Sequence, residues 1–438
     1  MTLGCWSYRW NRFLCQSESA DGPTAESATA SSCSIRQPTD DSMSWWPDWK
    51  CFVRGMSRDA CETTDQQVIP LFERYRLLGE KLPYVSLAEL PTPVHKVGRL
   101  GGVLGANRLY VKRDDLSGVA YGGNKPRKLE FILGEVLQAG AAEVITFGCA
   151  GSNHALATTI YGRQVGVHCI SMLLHQPNAH CVRRNLLLSY FHGAEMHLCG
   201  SERESRWNRP MVLVSTLKQV LRHRVMSGQR PVLIPPGGSS VVGVAGYVNA
   251  GFELARQVEG GEIPEPDLIY VACGTLGTAA GLILGLKVAG LSSRVVPVQV
   301  AGGDYVNAER VAGLANRVSA LLHSLDDSFP LLTVRPADID IRRGHLGVSY
   351  GQFTAEGMEA VSLMQECEGI PLEGTYTGKT LAALMADVRD GYARAKTILF
   401  WNTVNSRNLS ELTASVDYHD LPRPFHRYFE EDVQPLDR

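Results

Sequence analysis

The sequence lacks three features that would assign the chain to common classes of protein. Its 438 residues include 11 cysteines but no Cys-x-x-Cys pair, which excludes a zinc ribbon, and its histidines show no metal-ligand spacing, so we expect no metal site. The net charge is only −2, so no large basic surface for nucleic acid is expected. No apolar run is long enough to span a bilayer, and no internal repeat indicates a solenoid or a propeller.

The N-terminal 70 residues differ in composition from the rest of the chain. Small and polar residues cluster between Gln16 and Ser44 without any helical or strand period, so we expect residues 1–70 to be a poorly ordered extension. The first seventeen residues contain Arg9 and Arg12 but no acid, which leaves an organelle presequence open. A flexible arm, or a start at a later methionine, are the alternatives.

The cysteines indicate the redox compartment. Five of them lie in the extension (Cys5, Cys15, Cys33, Cys51 and Cys61). The other six stand among apolar neighbours, which is typical of reduced core residues. We therefore expect an intracellular enzyme in the cytoplasm, with organellar import as the alternative.

From residue 71 onwards, predicted strands and helices alternate. The predicted strands are Arg108–Lys112, Val144–Phe147, Val167–Leu174, a segment around Met196, Pro231–Ile234, Asp267–Ala272, Val295–Val300 and Thr397–Trp401. Five predicted helices have both ends defined: Asn153–Gln164, Ala179–Phe191, Trp207–Met226, Asn307–Leu322 and Ala355–Glu366. Three others are predicted from one end: one follows Asn124, one ends at Val258 and one begins near Thr278. Apolar strands alternating with helices predict an α/β fold with two open, doubly wound, mostly parallel sheets. The active site is then expected at the carboxyl ends of the strands, between the sheets.

The segment from Ser117 to Glu130 joins a predicted strand to a predicted helix. Gly122 and Gly123 permit a tight turn, Asn124 is a good N-cap, and Pro126 is tolerated in a first helical turn. Lys125 is thereby placed at the positive end of a helix, where the neutral amine is favoured over the ammonium. A neutral lysine amine is what Schiff-base chemistry requires. The alternative is an ordinary basic residue on a solvated loop.

A second glycine-rich turn runs from Cys273 to Gly281. It follows a buried strand and opens a helix, so backbone amides at Gly274 and Gly277 and a hydroxyl at Thr275 favour a phosphate-binding turn. The spacing is neither Gly-x-Gly-x-x-Gly nor that of a P-loop, which argues against a dinucleotide or nucleotide site. A turn that binds nothing is the alternative.

A third turn covers Gly148–His154. Its amides favour binding of a carboxylate, with Ser152 and Asn153 facing a cofactor or substrate, although either residue is also a good helix cap. The absence of a Gly-x-Ser-x-Gly elbow argues against a hydrolase serine. His154 by itself is equally compatible with a core histidine.

Two tyrosines complete the set of candidate residues. Tyr350 stands in Val-Ser-Tyr-Gly-Gln, and Tyr376 stands just before a predicted helix. Each is either a group that faces the substrate or an ordinary half-buried tyrosine, and the sequence leaves both possibilities open.

Taken together and in this order, the motifs resemble the D-cysteine desulfhydrase and 1-aminocyclopropane-1-carboxylate (ACC) deaminase family, which belongs to the fold type II, tryptophan-synthase-β-like pyridoxal-phosphate enzymes. The resemblance covers about Leu87 to Trp401. The motifs that carry it are Lys112–Leu116, Gly122–Glu130, Ser152–His154, Pro236–Ser240 with Gly246-Tyr247, Gly274–Thr278 and Tyr376–Lys379. It implies a pyridoxal 5'-phosphate cofactor, a small amino-acid substrate and a homodimer. It also implies a large domain of residues 71–130 and 234–438 and a small domain of residues 131–233.

The resemblance also implies a role for each matching residue. Lys125 would hold the cofactor covalently and then act as the base for the α-proton, and Asn153 would donate to the phenolic oxygen of the cofactor. Ser152 and His154 would meet the substrate carboxylate or help proton transfer. The phosphate would bind to Gly274, Thr275, Leu276, Gly277 and Thr278. The implied catalytic set is Lys125, Ser152, Tyr350 and Tyr376, with the two tyrosines flanking the substrate.

Position 377 separates the two activities of the resembled family. Deaminases have a glutamate there beside the pyridine nitrogen, and desulfhydrases have a threonine, as this chain does. Without a carboxylate to keep the ring nitrogen protonated, opening of a cyclopropane ring is disfavoured, and loss of an α-proton together with a good β-leaving group is favoured. We therefore expect an α,β-elimination that yields a 2-oxo acid and ammonia.

Two departures from the family pattern concern the substrate. Gly151 stands where many relatives have glutamine, and Trp401–Arg407 replaces a His-Thr-Gly-Gly segment with a more polar one. Three alternatives therefore stay open: an ACC deaminase, an amino-acid racemase on the same scaffold, and a cofactor-binding protein with reduced catalysis.

Overall fold

In the computed structural model, which describes residues 69–200 and 209–438, the strands separate into two sheets. The strands are β1 (Val94–Lys96), β2 (Leu109–Lys112), β3 (Glu143–Cys149), β4 (His168–Leu174), β5 (Glu195–Cys199), β6 (Val232–Ile234), β7 (Leu268–Cys273), β8 (Arg294–Gln299) and β9 (Ile398–Trp401). The α-helices are α1 (Pro70–Arg74), α2 (Arg76–Lys81), α3 (Gly98–Leu104), α4 (Lys125–Gln138), α5 (Asn153–Gln164), α6 (His180–Phe191), α7 (Arg209–Ser227), α8 (Val241–Glu259), α9 (Gly277–Ala289), α10 (Ala308–Leu325), α11 (Ala355–Glu368), α12 (Thr377–Arg389), α13 (Ser410–Ala414) and α14 (Arg427–Glu430).

The first sheet has the order β1-β2-β9-β7-β8 and is parallel except for β1, which pairs antiparallel with β2. Strand β9 lies in its centre, with Lys112 of β2 opposite Trp401. The turns that follow β2, β7 and β9 therefore leave the same edge of this sheet.

The second sheet has the order β5-β4-β3-β6 and is parallel throughout. The chain moves outward from β3 to β5 and then returns to the other side of β3. The turns after β3 and β6 consequently diverge at this point, which is where open α/β sheets bind ligands. The predicted fold class, two mostly parallel sheets covered by helices, is confirmed.

Alternating side chains of the central strands fill two cores, one on each face of the first sheet. Leu399 and Trp401 pack with α8, α9 and α10, whereas Ile398 and Phe400 pack with α12. This period of two is the reason that β9 reads as a continuous apolar run in the sequence. Among the described helices, none combines the length and hydropathy that a bilayer crossing requires.

A buried network of charges holds α4 to this scaffold. Arg127 of α4 pairs with Asp114 (2.7 Å) and with Glu253 of α8 (2.8 Å), and Lys112 pairs with Glu253 (2.5 Å). The indole N–H of Trp401 donates to Asp114 as well (2.7 Å). Since Lys125 is the first residue of α4, the network fixes the position of the predicted catalytic lysine.

The predicted elements were found, with shifts of one to three residues at most ends, and α5 begins and ends as predicted. Six elements were missed: strand β1 and the helices α1, α2, α3, α13 and α14. Strand β1 forms directly after a segment that contains Pro91 and Pro93, and α3 forms in spite of three glycines because its Leu100 is buried against the sheet. The predicted extension, apart from its last two residues, lies outside the described residues, as do Trp207 and Asn208.

Candidate active site

In the turn that carries Lys125, the predicted role of the glycines agrees with the structure, but the predicted helix cap does not. A Cβ at Gly122 would lie 1.9 Å from the carbonyl oxygen of Asp115, so only glycine fits. The side chain of Asn124 does not cap α4, contrary to the prediction. Its Nδ2 instead donates to Thr278 Oγ1 (3.0 Å), and the turn is thereby tied to the start of α9.

Lys125 is the first residue of α4, as predicted, and its amine favours the neutral form. Burial lowers the pKa of Lys125 to about 8. The direction agrees with the expectation, but the cause is removal of the amine from water. Burial is a property of the folded chain that the helix-end argument did not contain.

The predicted phosphate-binding turn after β7 is strained and tightly packed. Leu276 adopts a φ of 71°, which is rare for a residue with a Cβ and is typical of functional turns. A Cβ at Gly277 would lie 2.6 Å from Ser239 Oγ and 3.0 Å from Lys128 Nζ, so glycine is required there. Ser239 Oγ in turn donates to Thr275 Oγ1 (2.9 Å), which joins this turn to the one after β6.

The turn after β3 brings Ser152, Asn153 and His154 to the switch point of the second sheet. Ser152 Oγ accepts the N–H of Ala155 (3.2 Å) and caps α5, so its catalytic role stays a prediction. Asn153 Oδ1 accepts from Tyr121 Oη (3.0 Å) and from Asn185 Nδ2 (2.8 Å). With its oxygen held by two donors, the side chain of Asn153 offers an N–H donor to a ligand.

His154 is buried, and its ring packs against Gly238 in the turn after β6. Burial, together with the nearby charges of Lys125 and Lys128, lowers the pKa of His154 well below its usual value, and the Pro235 carbonyl offsets this only in part. Neither ring nitrogen has a hydrogen-bond partner of good geometry among the described residues. A neutral imidazole whose two nitrogens are available for hydrogen bonds therefore lies beside Lys125 and Lys128.

The two predicted tyrosines meet at the far side of this region. The hydroxyls of Tyr350 and Tyr376 are hydrogen-bonded to each other, and burial raises the pKa of both. Thr377 is buried, and its Oγ1 accepts the N–H of Glu373 (3.0 Å). That Thr377 lies beside the pyridine nitrogen of the cofactor stays a prediction.

Sequence reasoning missed Lys128 as a site residue. It is 1% exposed, and its Nζ donates to the Gly237 carbonyl (3.2 Å) and to Ser239 Oγ (3.4 Å), with no carboxylate partner in the described part of the chain. Burial and the charge of Lys125 lower the pKa of Lys128 well below its usual value. The available signal was its place in the Lys-Pro-Arg-Lys motif, three residues after Lys125 on one helix face.

Comparison with known proteins gives consistent matches. A protein-family model described as pyridoxal-phosphate dependent enzyme matches residues 85–404. D-cysteine desulfhydrase of Salmonella schwarzengrund is 33% identical over 310 residues, which are 70% of this chain and 88% of that protein. D-cysteine desulfhydrase of Salmonella newport is 33% identical over 309 residues, with the same shares covered.

Solved structures agree. An ACC deaminase homologue superposes with a TM-score of 0.63 and 31% identity, over 78% of this chain and 98% of that one. The processed form of threonine deaminase isoform 2 from Solanum lycopersicum superposes with a TM-score of 0.50 at 15% identity, over 77% of this chain and 86% of that one, which supports the fold alone.

The residues present fit pyridoxal phosphate. Among the described residues, three buried polar groups of the site lack a counterpart: the Lys128 amine has no acid, and the ring of His154 and the amide of Asn402 have no hydrogen-bond partner. Asn402 directly follows the central strand β9, next to the Lys125 turn, whose Asn124 N–H donates to the Thr403 carbonyl (3.0 Å). Buried polar groups cost free energy unless they are paired, so an anionic, polar ligand would satisfy what the protein alone leaves open.

Proposed function

Because this chain belongs to the pyridoxal-phosphate dependent enzymes, we propose that it is a lyase that eliminates the β-substituent of a small amino acid. One amino acid and one water give a 2-oxo acid, ammonium and the protonated leaving group. The similarity to D-cysteine desulfhydrases supports this reaction. The observation that carries the proposal is the lysine of lowered pKa at the junction of three ligand-binding turns.

The turns after β7 and β6 provide the anchor. We propose that the amides and hydroxyls from Gly274 to Thr278, the turn that contains the strained Leu276, bind the phosphate. Lys128 supplies the balancing positive charge from within the protein. Such a charge is most effective here because water is largely excluded.

The bound cofactor supplies an electron sink that weakens the α C–H bond of its amino-acid substrate. Lys125 Nζ takes the α-proton, which its lowered pKa permits near neutral pH. The N–H donor of Asn153 orients the cofactor ring through its phenolic oxygen. The turn that carries Ser152 and His154 receives the substrate α-carboxylate, and the hydroxyls of Tyr350 and Tyr376 flank the reacting carbons.

Replacement of Lys125 by alanine tests this proposal. Purified wild-type protein should show the visible absorption of lysine-bound pyridoxal phosphate and should release pyruvate from a β-substituted alanine of one hand. Lys125→Ala should lose both the absorption band and the turnover, whereas the exposed Lys218→Ala should keep both. A band that survives in Lys125→Ala would show that another lysine holds the cofactor.

The second candidate is deamination of a cyclopropane amino acid, which the similarity to an ACC deaminase homologue supports. Assays for 2-oxobutanoate from the cyclopropane substrate, for pyruvate from D- and L-cysteine, and for inversion of either enantiomer separate the lyase, the deaminase and the racemase. Silence across the panel, with the visible band intact, would favour a cofactor-binding protein of reduced catalysis.

We further propose that the two sheets are the cores of a large and a small domain, and that the enzyme is a homodimer. Light scattering coupled to size exclusion tests the oligomeric state. The six described cysteines are all unpaired, which supports a reducing compartment such as the cytoplasm. Microscopy of a tagged full-length chain, with and without residues 1–42, distinguishes cytoplasm from organelle.

A further inference from the structure

A small cavity with several polar side chains in its lining lies beside the proposed substrate position. Its lining includes Asn153, Tyr350 and Tyr376 of the proposed site, and in addition Gln176, Arg184 and Glu373, to which the proposed elimination gives no role. A substrate held between Asn153 and the two tyrosines would therefore lie next to these three side chains.

Arg184 on α6 forms no ion pair with any residue that the structure describes. Its one described hydrogen bond runs from Nε to Asn185 Oδ1 at 3.5 Å, which is long and weak. No carboxylate of the described residues lies within ion-pair distance of it, whereas the buried Arg127 binds two carboxylates. A half-buried guanidinium at a cavity wall is suited to bind a ligand carboxylate through two parallel hydrogen bonds.

Glu373 does not neutralise Arg184, although it lines the same cavity. Its two carboxylate oxygens accept the backbone N–H groups of Thr375 (2.7 Å), Tyr376 (2.6 Å) and Thr377 (3.0 Å). The carboxylate therefore closes the turn before α12. Burial also raises the pKa of Glu373, and these three hydrogen bonds offset the rise only in part.

Gln176 adds a second donor to the cavity. Its Oε1 accepts the N–H of Gly151 (2.9 Å), so the amide nitrogen is the free end of the side chain. A Cβ at Gly151 would lie 3.0 Å from Gln176 Nε2 and 2.9 Å from Val182 Cγ2, so a larger residue at position 151 would displace this amide. The glycine at position 151 thus makes room for a glutamine from the loop after β4.

We propose that this cavity receives an anionic group carried on the β-substituent of the substrate, and that Arg184 is the residue that determines this specificity, with Gln176 as a second donor. The proposal rests on the proposed function, since it places the α-carboxylate at the Ser152–His154 turn and the β-substituent on the side of the cavity that Gln176 and Arg184 form. The substrate class is a cysteine conjugate, or another β-substituted alanine, with a short acidic substituent.

A matched pair of substrates tests the proposal: S-carboxymethylcysteine and S-carbamoylmethylcysteine, which have nearly the same shape but differ by one charge. Wild-type enzyme should prefer the acid at least 10-fold in kcat/KM, because a hydrogen bond between charged groups accounts for about 10- to 100-fold. Arg184→Gln should abolish the preference, mainly through KM. Arg224→Gln, which removes an exposed arginine on α7, should keep it.

Two results would overturn the proposal. One is a wild-type enzyme that does not distinguish the two conjugates. The other is an Arg184→Gln enzyme that keeps the preference, or loses both conjugates and unsubstituted cysteine equally, since equal loss would mean that Arg184 meets the α-carboxylate.

A binding measurement separates this proposal from the proposed function and needs no variant. 2-Aminoadipate has a methylene in place of the sulfur of S-carboxymethylcysteine and cannot undergo the elimination, and its neutral counterpart is homoglutamine. Calorimetry on the wild-type holoprotein should show at least 10-fold tighter binding of 2-aminoadipate, even if elimination is not the natural reaction. Equal affinities would refute the role of the cavity while leaving the lyase assignment untouched.

Discussion

Replacement of Glu253 by glutamine should destabilise the fold more than any single surface substitution. The carboxylate accepts hydrogen bonds from Lys112 (2.5 Å), from Arg127 (2.8 and 2.9 Å) and from the backbone N–H of Thr92 (3.0 Å), and its side chain is 2% exposed. Glutamine has nearly the same shape, but it removes the negative charge and turns one acceptor into a donor that faces other donors. Breaking a buried ion pair by removing one partner costs about 3–5 kcal/mol.

Denaturant titration of the holoprotein, followed by tryptophan fluorescence, measures this loss. The matched control is Glu73→Gln, which breaks the half-exposed pair between Glu73 and Arg256 and should cost at most about 1 kcal/mol. Similar midpoints for the two variants would refute the argument that burial makes the network costly to break.

The pH dependence of the same difference supplies a second check. Although burial raises the pKa of Glu253, the charges of Arg127 and Lys112 lower it to well below its usual value of 4.5. A carboxylate whose folded pKa is depressed contributes stability that is present above the unfolded pKa and is lost as the pH falls. The gap between wild type and Glu253→Gln should therefore be full at pH 7 and should narrow below about pH 4.5. A constant gap down to pH 3 would contradict the assignment.

Three further predictions concern the site and its packing. Lys128→Met should weaken pyridoxal-phosphate binding about 10-fold or more, measured by titration of the visible band. The cofactor-free variant should unfold at an unchanged or higher denaturant concentration, because a buried unpaired ammonium is costly. Lower stability without loss of affinity would contradict this prediction. Gly246→Ala should destabilise the fold by more than about 1 kcal/mol, because its Cβ would lie 1.9 Å from the carbonyl oxygen of Arg127. Gly102→Ala meets nothing within 4 Å and should be neutral or stabilise the fold by up to about 1 kcal/mol. Equal effects of the two substitutions would refute the close-packing argument. Burial lowers the pKa of Lys125 to about 8. The rate at which cofactor-free protein acquires its visible band on addition of cofactor should therefore rise with pH and level off above about pH 8. A midpoint of this rate profile near pH 10 would mean that the amine is solvated.

Local patterns were enough for the fold class and for the backbone of the site. The apolar strands, the glycines of three turns and the start of α4 at Lys125 are all short-range features, because they depend on the conformational limits of a few adjacent residues. Where elements were missed, packing overrode local preference: α3 forms despite its glycines, and the edge strand β1 forms directly after Pro91 and Pro93.

The partners of the site residues lie beyond what local patterns reach. Asn124 is separated by 154 residues from the Thr278 hydroxyl that takes its side chain away from the helix cap. Lys128 and Arg184 resemble ordinary helical cations in the sequence. Their importance follows from the structure, in which neither forms an ion pair with a carboxylate of the described residues.

The sequence by itself determined which elements form and which turns expose backbone amides, because torsional preferences and the spacing of apolar residues act within a few positions. Only the tertiary structure decided which charges are paired and which amines are buried. Solvation and ion pairing depend on distances between residues that the chain brings together from far apart, and these distances set the pKa of Lys125 and leave Lys128 and Arg184 open to anions.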